Sequence, residues 1–199
     1  SYQKSLLGKV IFDQSGFYYG KNGMPTGIAT HPERYENWEF SYSDRFDVAA
    51  MGRVWYLEAG ARTRFGDADG LIRGLETVAA AAEEGYWRER YNYSGGYGAL
   101  KYCEYPANFI RIVNRFLLGI TYLPDSKLMI SPTATKKMWR NGFGTTLMTH
   151  AGILNYRQSD KGFSASYSLS HSLPLCVKME NGKIRETVLP VGKGDEVLI

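Results

Sequence analysis

Residues 85–120 read GYWRERYNYSGGYGALKYCEYPANFIRIVNRFLLGI, and the parsing of this stretch governs the rest of the chain. It opens on a turn glycine, Gly85, followed by a cluster of rings and charges: Tyr86, Trp87, Glu89, Arg90 and Tyr91. A Ser94-Gly95-Gly96 segment comes next, and Cys103-Glu104-Tyr105-Pro106 leads into an amphipathic pattern. Pro106 suits the first turn of a helix, where a missing N–H has no intrahelical partner to lose. That helix is expected to bury Phe109, Ile110, Val113, Phe116 and Leu117 and to end at Gly119. Gly85–Glu104 is then a long loop, and long ordered loops in compact domains are usually functional. A carboxylate flanked by Arg88 and Arg90 among several rings suits a sugar. Rings cover the apolar face of a pyranose, and a carboxylate positions and deprotonates a water. The competing reading pairs Glu89 with Arg88 or Arg90 at the surface while the rings fill a helical core.

Upstream, Phe46–Phe65 follows a helical period, with Val48, Met51, Val54, Trp55 and Leu57 on one expected apolar face and Asp44 or Asp47 as the N-cap. Gly66-Asp67 ends that helix. Asp67 or Asp69 caps a second, in which Leu71, Ile72, Leu75, Val78 and Ala79 repeat up to Glu84, with Gly85 as its C-terminal glycine. So short a turn makes the two helices an antiparallel hairpin. Residues 1–46 are weakly periodic, and Tyr35–Phe40 mixes acids with rings, Trp38 and Glu39 among them.

Downstream of Ile120 the period changes to two. Leu128–Ile130, Gly144–His150, Gly152–Tyr156, Phe163–Leu169, Leu175–Met179 and Ile184–Leu189 are expected strands, and Asp195–Ile199 can add a last one. Asn181-Gly182 is a strong hairpin turn signal. The expected fold class is therefore mixed α and β with the two kinds segregated: helices over 1–122, and an antiparallel sheet or sandwich over 123–199.

Composition narrows the partners. The 199 residues carry a net charge of +4 without any block of consecutive Lys or Arg, which argues against nucleic acid. No apolar run reaches the length of a membrane span, and no signal peptide is evident, so no membrane partner is expected. Fifteen Tyr, nine Phe and four Trp make the chain rich in rings, many of them in Gly, Asn and Ser-rich loops, which favours a binding surface. Cys103 and Cys176 lack CxxC spacing or His neighbours, so a metal site is not expected and a single bridge stays open. His31, His150 and His171 share no ligand spacing, and neither metal nor cofactor is expected. The Ser-rich run with His171 lacks the nucleophile-elbow pattern.

Three segments carry a resemblance. Tyr35-Glu-Asn-Trp-Glu39 followed by Val54-Trp-Tyr-Leu57 resembles the loop and helix before a late hairpin of the (α/α)6-barrel, or six-hairpin, glycoside hydrolases, the class of the α-L-rhamnosidases and several glucosidases. Gly85-Tyr-Trp-Arg-Glu-Arg-Tyr91 resembles their W-E-R-W/Y loop, and Tyr105–Ile120 with the Leu128-Met-Ile-Ser-Pro132 strand resembles the last barrel helix and its passage into a β-domain. The resemblance implies the C-terminal helical hairpins of an incomplete (α/α)6 barrel and an inverting hydrolysis of glycosidic bonds. Glu89 is then the general base, with Glu104 and Glu39 as the next candidates. Trp38, Trp87, Tyr91, Tyr86 and Arg90 line a sugar subsite. Three helices cannot make a twelve-helix barrel, and the chain begins at Ser1. The expected partners are therefore a carbohydrate substrate and either a missing N-terminal barrel portion or another chain that supplies the remaining helices. The alternative is a non-catalytic carbohydrate-binding or assembly module.

Overall fold

In the computed structural model, residues 24–25, 50–82, 85–92 and 95–198 are described, and the chain divides into two compact units, Ser1–Ile112 and Val113–Ile199. Trp38, Glu39, His31 and the capping candidates Asp44 and Asp47 lie outside the described residues.

The first unit holds helices α1 (Gly52–Phe65), α2 (Ala68–Ala80) and α3 (Glu104–Ile112), with a small antiparallel sheet of β1 (Ala50–Met51), β2 (Arg90–Asn92) and β3 (Gly95–Tyr97) in the order β1-β2-β3. Asp67 caps α2, its carboxylate accepting the Gly70 N–H at 3.0 Å, and the helix buries Leu71, Leu75 and Val78. It stops at Ala80, before Glu84 and the expected Gly85, where the Ala81 N–H still donates to the Thr77 carbonyl.

Helix α1 departs further from the expected pattern. It buries Trp55 and Ala59 together with the charged Glu58 and Arg62, and it leaves Leu57 68% exposed. The pattern misleads because Arg62 brings its own countercharges, so a charged stripe can face inward. In α3 the buried residues are Tyr105, Asn108 and Ile112, whereas Ile110 is 62% exposed. The Asn108 amide donates to the Gly52 carbonyl at 2.9 Å, tying α3 to the start of α1.

The helical hydrogen bonding of α3 gives way at Val113–Leu117 to a π turn, which opens the second unit. Two four-stranded sheets follow. One runs β10-β9-β5-β4, formed by β4 (Ile120–Tyr122), β5 (Leu128–Ile130), β9 (Leu173–Lys178) and β10 (Ile184–Leu189). The other runs β11-β8-β7-β6, formed by β6 (Phe143–Thr149), β7 (Gly152–Ser159), β8 (Gly162–Leu169) and β11 (Gly192–Leu198). All pairings are antiparallel except β5 with β9, which are parallel, with Met129 opposite Cys176.

Alternation makes the core of this unit. Leu154 and Tyr156 of β7, Phe163, Ala165 and Leu169 of β8, Leu128 and Ile130 of β5, and Leu173, Leu175 and Val177 of β9 form one buried cluster between the sheets. Gln158 continues the inward row of β7, and its amide donates to the Lys178 carbonyl at 3.1 Å, a strut from one sheet to the other. A short helix α4 (Lys136–Asn141), capped by Thr135, seats the buried Trp139 against the Phe143 ring.

The barrel expectation is corrected by this architecture. The described residues form four short helices, and eight strands in two four-stranded sheets dominate the second unit, so the fold is mixed α/β and not an (α/α)6 helical-hairpin barrel. The physical reason lies between α2 and α3. A barrel hairpin would continue there, but the chain folds into the β2–β3 hairpin and spends its backbone groups on a sheet.

Candidate functional site

The ring-rich segment is a tightly bonded hairpin. Trp87 and Tyr102 face each other across it, with the Tyr102 N–H donating to the Trp87 carbonyl at 3.0 Å. One step inward the Glu89 N–H donates to the Ala99 carbonyl at 3.0 Å. The strands then pair Arg90 with Tyr97, Tyr91 with Gly96 and Asn92 with Gly95. On its other side β2 pairs with β1 through Ala50–Tyr91 and Met51–Arg90.

Glu89 is held by its own hairpin. Its Oε2 accepts the Ala99 N–H at 3.1 Å, and its Oε1 lies 3.2 Å from the Arg90 guanidinium. The side chain keeps 26% of its surface open to solvent. Gly98 makes this possible, with φ +79° and a virtual Cβ only 2.8 Å from Glu89 Oε2. Any larger residue there would displace the carboxylate.

The rings are anchored in different ways. The indole N–H of Trp87 donates to the Val78 carbonyl of α2 at 2.6 Å, which fixes the orientation of a partly exposed ring. Tyr86 is likewise partly exposed. Tyr91 is buried: its hydroxyl accepts the Arg88 N–H at 3.0 Å, and its ring meets Tyr105 edge-on at 5.5 Å. Tyr105 continues the stack to Trp55 at 6.0 Å, and Trp55 to Phe109 at 6.4 Å. Glu104 opens α3 and pairs with Arg53 at 3.7 Å. Glu89 and Glu104 are thus held by different cations. The hairpin brings Glu89 and Arg90 together, and Trp38 and Glu39 lie outside the described residues.

Between α1 and α2 is a charged network that the sequence pattern did not mark. Arg62 donates Nε and Nη2 to Glu58 Oε1 at 2.8 and 2.6 Å, and Nη1 to Asp67 Oδ2 at 2.5 Å. Since Asp67 also caps α2, one guanidinium locks the end of α1 to the start of the next helix. The i,i+4 spacing of Glu58 and Arg62 was the available signal. Burial pushes the Tyr105 hydroxyl well above the ordinary phenol range, with Tyr91, Glu58 and Glu104 adding in the same direction. The Tyr105 hydroxyl donates to the Pro25 carbonyl at 3.3 Å.

On the turn of α2 that receives the Trp87 indole, a shallow depression of about 390 Å³ is lined by Glu76, Thr77, Ala80 and Ala81. Among the described residues it offers the Glu76 carboxylate and the Thr77 hydroxyl. Both cysteines are free thiols, Cys103 exposed and Cys176 buried. Among the described residues no group of three or more His, Cys, Asp or Glu is gathered to hold a metal ion. No described helix is long and apolar enough to cross a membrane. No family model matches the chain, and no curated protein is similar to it.

Proposed function

We propose that the chain is a non-catalytic carbohydrate-binding module in which the partly exposed Trp87, held to α2 through the Val78 carbonyl, is the platform for a glycan. One observation carries this over catalysis: both carboxylate oxygens of Glu89 are engaged within its own hairpin, one by the Ala99 N–H and one by Arg90. A general base needs an oxygen turned to a water. Glu89 instead serves as a hairpin staple. An indole pinned through its N–H gives a sugar face a platform that loses little entropy on binding. Glu76 and Thr77, on the same stretch of α2 as Val78, offer a carboxylate and a hydroxyl to sugar hydroxyl groups.

A second reading, an inverting glycosidase segment with Glu89 as general base, has one observation in its favour. The carboxylate remains 26% exposed with a cation 3.2 Å away, so it is reachable from solvent.

Titration of the full chain with oligosaccharides, followed by tryptophan fluorescence and calorimetry, tests the first reading alongside turnover of aryl glycosides. Binding that is lost in Trp87→Ala and kept in Glu89→Gln, with no turnover in either, is the expected result. Turnover that disappears in Glu89→Gln while affinity persists restores the glycosidase reading. Absence of both binding and turnover removes the two together.

A further inference from the structure

The four outer edges of the two large sheets are not alike. β4 is only three residues long, β10 carries Arg185 and Glu186, and β11 carries Lys193, Asp195 and Glu196. Brevity and charge are the usual means of keeping a sheet edge from pairing with another chain. β6 has neither. Its seven residues, FGTTLMT, include no charge and no proline, and it pairs on one side only, with β7. Among the described residues no other element makes backbone hydrogen bonds to it.

We propose that β6 is a self-association edge, at which two copies of this chain pair antiparallel about a two-fold axis through Thr146 and join their sheets into one of eight strands. A second copy is favoured over an unrelated strand because β6 complements itself. An uncharged strand gains no ion pair from a charged partner, whereas against itself no like charges meet. With Thr146 on the axis, Gly144 of one copy falls opposite Met148 of the other on the outward face. Gly144 has no side chain and cannot gain one, since a Cβ would overlap the Tyr156 carbonyl oxygen. Met148, 90% exposed, has the flexible length to fill the space that Gly144 leaves. On the other face Phe143 falls opposite Thr149, a ring against a β-branched residue that pair well across strands, and Thr145 falls opposite the aliphatic Leu147. An interface made by one strand edge is small, so the dimer should be concentration-dependent.

The test uses the full chain with the exposed Cys103 replaced by Ser. In Thr146→Cys the two thiols meet at the axis, where directly opposed Cα atoms are about 4.5–5.5 Å apart, within the roughly 4.4–6.8 Å that a disulfide spans. Mild oxidation should give a covalent dimer from Thr146→Cys, and little from the control Asp195→Cys on the charged β11 edge. Sedimentation of the unoxidised parent should show a dimer growing with concentration. Thr146→Lys sets two ammonium groups face to face and should be monomeric with an unchanged circular dichroism spectrum; Met148→Lys serves if Thr146→Lys does not fold. A parent that stays monomeric at every concentration overturns the proposal. So does equal crosslinking of the two cysteine variants, or a dimer that persists in both lysine variants.

Discussion

Glu89 and Ala99 are joined twice: the Glu89 N–H donates to the Ala99 carbonyl at 3.0 Å, and Glu89 Oε2 accepts the Ala99 N–H at 3.1 Å. Backbone and side chain together close the hairpin at one point. An acidic residue among rings, which in sequence reads as chemistry, thereby acquires a structural task.

The hairpin should depend on Gly98. Gly98→Ala forces a Cβ into a backbone with φ +79° and to within 2.8 Å of Glu89 Oε2. Strain at such a position costs about 1–3 kcal/mol. Denaturant unfolding should report a loss of that size, and Glu89→Ala should lose less, since it removes one exposed hydrogen bond and one partly exposed ion pair. A Gly98→Ala chain as stable as the parent would show that Glu89 does not close the hairpin.

The Arg62 network makes a larger demand. Arg62→Met strips the buried Glu58 carboxylate of its 2.6 and 2.8 Å contacts and Asp67 of its 2.5 Å contact. Removing one partner of a buried ion pair typically costs about 3–5 kcal/mol. The double variant Glu58→Leu/Arg62→Met should be more stable than Arg62→Met alone, because it also removes the buried Glu58 carboxylate and leaves only Asp67, which is partly exposed and keeps the Gly70 N–H. Equal stability of single and double variants would contradict the coupling.

Inside the β unit the opposite sign is expected. Tyr156 stacks on Phe163 at 5.7 Å, yet its buried hydroxyl finds no hydrogen-bond partner among the described residues. Tyr156→Phe keeps the ring and removes an unsatisfied polar group, so stability should be unchanged or rise by up to about 1–2 kcal/mol. A clear loss would mean that an ordered water serves the hydroxyl.

Alkaline pH should destabilise the chain through two phenols. Burial raises both Tyr105 and Tyr156 above the ordinary tyrosine value, and for Tyr105 the neighbouring Tyr91, Glu58 and Glu104 add to it. Above about pH 10 the unfolded phenols lose protons that the folded ones keep, so the folded state binds more protons there. Stability from these groups is therefore intact below about pH 10 and lost as pH rises through the folded values. Phenolate absorbance should show late-titrating tyrosines, one of them absent from Tyr105→Phe and one from Tyr156→Phe. Early titration of all tyrosines in the folded chain would refute this.

Local order was legible in the sequence. The alternation of Phe163–Leu169 became strand β8 with Phe163, Ala165 and Leu169 inward, because period two admits one buried face. Asn181-Gly182 became a turn, with Gly182 at φ +81° and the Asn181 side chain accepting the Lys183 N–H. Asp67 became the cap of α2. Each of these depends on residues a few positions apart. That Leu57 faces out while Glu58 and Arg62 face in follows from packing, because a buried charge depends on a countercharge that a helical period does not specify. The same holds for the parallel pairing of β5 with β9, which are separated by three strands in sequence. It holds most of all for Glu89. Its neighbours Arg88 and Arg90 were visible in the sequence, but the Ala99 N–H ten residues away was supplied by the hairpin, and that contact sets the orientation of the carboxylate.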